Sequence, residues 1–157
     1  MVKTTSIEPL NTKAAQPYAS KPYTKWLWLC TSLFGFRVVA QLAALLFKPK
    51  FLPLFESWHG GVLPYPLLLS TQILILIWLA WTAWQFSKNN LQPRRRLGMA
   101  IIILASLYFL LMLLRLLLGL TILSEQRWFA SSLPAFFHLV LASYLFLYAH
   151  FHFRHGK

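Results

Sequence analysis

Six side chains carry most of the chemistry that the apolar stretches of this sequence offer: Arg37, Gln41, Gln72, Tyr108, Arg115 and His138. An ionisable group at membrane depth costs at least about 2.5–3.5 kcal/mol at mid-helix on insertion scales, so it faces a bundle interior or water. Arginine keeps its charge and presents a planar fork of donors suited to a carboxylate, phosphate or carbonyl oxygen. His138 can donate a hydrogen bond or pass a proton. Tyr108 adds an aromatic contact. In the connecting stretches, Glu56 and Glu125 are candidate ion partners for the arginines, with Trp58 and His59 beside them.

Other chemistry is thinly supplied. The chain has no Asp and only three Glu, at positions 8, 56 and 125. No Asp is present to orient a histidine, and the lone Cys30 lies far in depth from His138, which argues against nucleophilic catalysis. Ion or proton transport would use a carboxylate within the membrane, and no apolar run holds one. Glu56 and His59 make the Glu-x-x-His step of di-iron bundles, but such sites need more carboxylates than three scattered glutamates supply. His152 and His155 share a helical face near the C-terminus and are the candidates for a surface metal. His138 is the one histidine within a span core, so a haem would need a second axial ligand from His59 or another subunit. The sequence predicts no resident cofactor of its own. It leaves open a quinone or a haem held at a subunit interface.

These residues must be positioned by helices that cross a bilayer. The chain of 157 residues is 58% hydrophobic and only 11% charged, whereas an ordinary soluble domain is about 45–50% apolar and about 25% charged. Four stretches approach the roughly 20 apolar residues that a spanning helix needs. They cover 26–47, 66–86, 97–121 and 133–151. The expected fold is an all-α integral membrane protein, an antiparallel bundle of four transmembrane helices. Residues 1–24 read as a flexible cytoplasmic arm, 25–151 as the membrane domain and 152–157 as a basic tail. Between the first two spans, Leu54–His59 reads as a short interfacial helix ended by Gly60 and Gly61.

Three of the spans have a face that the spacing picks out. In the first, Cys30, Phe34, Arg37, Gln41 and Ala44 recur at four- and three-residue steps and should turn inward. In the third, Gly98, Ile101, Ala105, Tyr108, Met112, Arg115 and Gly119 share a heptad face. In the fourth, Ala135, His138, Ala142 and Ala149 do the same. Small residues so placed let membrane helices approach closely.

The net charge of +12 belongs mostly to residues that flank the spans. Anionic lipid headgroups are therefore the expected counterpart, and nucleic acid is not. The first arm, the second loop and the tail hold ten Lys and Arg, and the other two loops hold three. That bias predicts both termini in the cytoplasm of a cell that carries the protein in its inner or plasma membrane. With this orientation Gln41, Gln72, Arg115 and His138 fall in the outer half of the bundle, with Arg37 near the middle.

In length and four-span layout the chain is similar to several families of small bacterial membrane proteins, the DoxX-like ones among them, but no motif carries residue roles over. Two functions follow. The first is a non-catalytic membrane subunit or accessory protein that packs against other membrane subunits. The second is a redox or lipid-processing protein that holds a quinone or anionic lipid through Arg37, Arg115 and His138.

Overall fold

The computed structural model describes residues 21–47, 64–121 and 132–156, and within them the chain forms four helices and no strand. We number them α1 (Lys21–Leu46), α2 (Tyr65–Ser87), α3 (Arg95–Leu120) and α4 (Ser132–His155). At a rise of 1.5 Å per residue, the shortest is about 34 Å long, enough for a hydrocarbon core of about 30 Å. All four are long and apolar enough to cross a membrane. The short helix expected at Leu54–His59 lies outside the described residues.

The helix ends follow local chemistry. Proline occupies the first turn of α1 (Pro22) and of α2 (Pro66), where its missing N–H leaves no helical bond unmade. Asn89 closes α2 with a φ of 54°, a left-handed conformation that Asn tolerates better than most residues. The amides of Asn89 and Asn90 reach back to the carbonyls of Phe86 and Gln85 at 3.2 Å, the paired bonds of a Schellman motif.

Two boundaries differ from the sequence reading. α1 starts at Lys21, so residues 21–24 are helical rather than part of a loose arm. There Tyr23 packs edge-on to Phe151 and bonds to His150. α4 continues to His155, through four residues that read as tail. His152 is only 2% exposed, and its Nδ1 accepts the Arg94 backbone N–H at 3.1 Å. Tertiary contacts hold both extensions.

α4 is the hub. Its small face of Ala135, Ala142 and Ala149 is buried. α3 packs extensively on α4, and α1 packs on both α2 and α4. α2 meets α4 through aromatic side chains: Trp78 with Tyr144, and Phe86 with Phe151 at 4.7 Å between centroids. The main core is Leu27, Phe34, Leu79, Phe86, Tyr144 and Phe151 with their neighbours. The Tyr144 hydroxyl is fully buried there and donates to the Leu79 carbonyl at 2.7 Å. Burying a hydroxyl without a partner would cost about 1–3 kcal/mol.

The inward face expected on α1 is the buried one at all five positions. α2 buries Gln72, Leu79 and Phe86 at seven-residue steps. On α3 the residues of the predicted face are buried or half-buried, while Ile103, Leu104, Leu107, Leu110 and Leu114 point outward. Gly98 lies where α3 comes closest to α4. A Cβ placed there would stand 2.5 Å from the Phe153 amide nitrogen and 2.9 Å from the Ala149 carbonyl oxygen.

Candidate functional site

The candidate polar residues come from all four helices. Arg37 and Gln41 lie one turn apart on the buried face of α1. Each is almost fully enclosed, at 4% and 1% exposure. A helix repeat of 3.6 residues puts them side by side. Gln72 of α2, 2% exposed, donates from Nε2 to the Gln41 Oε1 at 3.1 Å. Tyr108 of α3 and His138 of α4 share a hydrogen bond of 2.6 Å between the hydroxyl and Nδ1, with their rings edge to face. Arg115 is buried on α3.

An aromatic ring of α4 faces Arg37. The Arg37 guanidinium carbon stands 5.5 Å from the centroid of the Phe137 ring, within the range of a cation–π contact. Arg37 and Arg115 both lie within electrostatic reach of Tyr108 and His138. Two positive charges therefore converge on one Tyr–His pair in the interior of the bundle. Of the sequence candidates, Arg37, Gln41, Gln72, Tyr108, Arg115 and His138 are placed by the structure as two interhelical hydrogen bonds with two cations beside them. Glu56, Trp58, His59 and Glu125 lie outside the described residues.

Among the buried polar atoms with no hydrogen-bond partner among the described residues are Arg37 Nε, Gln41 Nε2 and Gln72 Oε1. Two are donors on the same face of α1. Buried polar atoms are almost always satisfied, so this pair fits an oxygen acceptor such as a carbonyl, a carboxylate or a water.

The tail histidines His152 and His155 each have partners within the fold. His152 uses Nδ1 on the Arg94 amide, and its ring packs at a tilt against Tyr148 with centroids 4.5 Å apart. His155 Nδ1 lies 3.2 Å from the Phe151 carbonyl oxygen. No group of three or more His, Cys, Asp or Glu gathers among the described residues. Sequence reasoning missed Tyr144, His152 and Tyr23 as interhelical ties. Tyr144 lies three residues from Leu141 and four from Tyr148, in an apolar run whose spacing did not single out its hydroxyl.

Comparison of the chain with protein-family models, with curated proteins and with solved structures finds no match.

Proposed function

We propose that the protein is an integral membrane protein of four antiparallel spans, with both termini cytoplasmic, and that it serves as a non-catalytic subunit or accessory protein of a larger membrane assembly. The observation that carries this reading is the pairing of buried polar groups across helices, Gln41 with Gln72 and Tyr108 with His138. In a membrane, such bonds fix which helices meet and in what register. Contacts such as Tyr23 with His150 and Arg37 with Phe137 support an antiparallel α1 and α4. Trp28 with Ser87 and Gln41 with Gln72 support the same for α1 and α2. The outward leucines of α3 suit lipid or a partner span equally. The excess of Lys and Arg on one side supports the orientation and an inner or plasma membrane.

The test is purification of the tagged protein from its own membranes in a mild detergent, followed by native mass measurement. A mass above the 18.2 kDa chain with other polypeptides present supports the subunit reading. A protein that runs alone, with no added polypeptide after gentle extraction, refutes it.

The orphan donors Arg37 Nε and Gln41 Nε2 favour a second reading, in which the cluster holds a quinone or anionic lipid through an oxygen. Arg37 and Arg115 supply positive charge there, and His138 a donor. In that case a defined small mass accompanies the purified chain, and Arg115→Lys removes it because the planar fork is lost. If Arg115→Lys and His138→Gln both retain that mass in a folded protein, the second reading fails.

A further inference from the structure

At the opposite end of α3 from Arg115, two grooves meet on the surface. One, of about 520 Å³, is lined by Arg94, Arg95, Arg96 and His155 together with Pro93 and Leu97. The other, of about 450 Å³, shares Arg95 and Arg96 but is otherwise walled by Met99, Ala100 and Ile103. Both volumes lie in the range of small-molecule sites. The first is cationic and the second apolar, and the two shared arginines stand at their junction.

The junction is held in place. The Arg94 backbone N–H donates to the His152 Nδ1, which seats the loop before α3 on the end of α4. The Arg95 guanidinium carbon lies 5.4 Å from the centroid of the Phe153 ring. Gly156 closes against the Arg94–Arg95 backbone so tightly that a Cβ there would collide with it. The three arginine side chains are all exposed. No carboxylate exists among the described residues to neutralise them, because the only acidic residues are Glu8, Glu56 and Glu125. α3 has no acidic residue in its first turn and no side-chain cap, so its first amides add to the positive field.

We propose that this junction is a binding site for one anionic phospholipid. Its phosphate lies on Arg95 and Arg96, and one acyl chain lies along Met99, Ala100 and Ile103. Charge complementarity selects the headgroup, and the apolar groove selects a molecule with a tail over a free phosphate. The two features adjoin in the order in which a lipid presents them, headgroup outermost and chain running toward mid-helix. The inference rests on the membrane reading above, in which this end of the bundle sits at the cytoplasmic headgroup level.

The test uses the full chain in mild detergent, titrated with phosphatidylglycerol or phosphatidylcholine of identical chains and read by native mass spectrometry. Phosphatidylglycerol should bind about thirtyfold more tightly, as expected for two arginines beside a headgroup of net negative charge, which the choline of phosphatidylcholine cancels. Arg95→Gln with Arg96→Gln should abolish that preference. Ala100→Trp, at an exposed position, should weaken phosphatidylglycerol binding while leaving every charge in place. Inorganic phosphate should not displace the lipid. Displacement by phosphate would assign the site to a free anion and overturn the proposal. Equal binding of the two lipids, or full binding by the double variant or by Ala100→Trp, would also overturn it. If the double variant does not fold, Arg96→Gln alone and Ala100→Trp decide the matter. Resistance of each variant to alkaline carbonate extraction is measured in parallel. Loss of the wild-type protein from membranes in that wash refutes the membrane reading itself, whereas retention with equal lipid binding refutes only the site.

Discussion

Replacing Gly98 by alanine tests how α3 is held on α4. The added Cβ would stand 2.5 Å from the Phe153 amide nitrogen and 2.9 Å from both the Ala149 carbonyl oxygen and the His152 carbonyl carbon. All three are backbone atoms, so no flexible side chain can move aside. Ordinary van der Waals contact begins near 3.4 Å, and α3 must therefore retreat by about 1 Å at the crossing. Overpacking of this kind costs about 1–3 kcal/mol, and the rigid neighbours place it near the upper end. Alanine returns about 1 kcal/mol through its better helix propensity. The net expected loss is about 2 kcal/mol. Gly35→Ala is the internal control, because its Cβ would meet only the Leu76 side chain, at 3.6 Å. That variant should be neutral or more stable by up to about 1 kcal/mol. Reversible unfolding in mixed micelles, followed by circular dichroism, measures both. A Gly98→Ala protein as stable as the wild type would refute the close crossing.

Three further outcomes follow from the packing. A double-mutant cycle of Gln41→Leu and Gln72→Leu should give a coupling energy of about 0.6–1.7 kcal/mol, the range for hydrogen bonds between membrane helices, and additive effects would mean that the two amides do not pair. Tyr144→Phe removes the donor to the Leu79 carbonyl and should lower stability by about 1 kcal/mol in the same unfolding assay, with helix content unchanged. Cys30 is buried in the core, so a maleimide should label it only after denaturation, and rapid labelling of the folded protein would place it at the surface instead.

The faces of α1, α3 and α4 were legible in the sequence because burial recurs with the helical period. Cys30, Phe34, Arg37, Gln41 and Ala44 form one stripe whatever lies opposite, and all are buried. The small residues of α3 and α4 were legible for the same reason. The partners were not, because nothing local says that Gln41 meets Gln72 or that Tyr108 meets His138. The ends of α1 and α4 were misread for a physical reason. Arg154, His152 and His155 resemble a solvated tail, and contacts such as the Arg94 amide on His152 and Arg95 over Phe153 show why that turn stays helical. At the other end a local cue existed, since Pro22 suits a first turn, but Tyr23 finds its partner 127 residues away. The polar cluster lay between these cases. Its members were visible as intruders in apolar runs, while their arrangement depended on four helices at once.

The hub helix is also the last of the four along the chain. A ribosome therefore delivers α1, α2 and α3 before the element that touches them all. α1 and α2 can pair at once through Gln41 and Gln72. Arg37 waits for Phe137, Tyr108 for His138, and Gly98 for the backbone it nests against. Until α4 arrives, α3 lacks its principal packing surface and Arg37 lacks the Phe137 ring. The contacts of the first three helices with one another are thus few beside those that the last one brings.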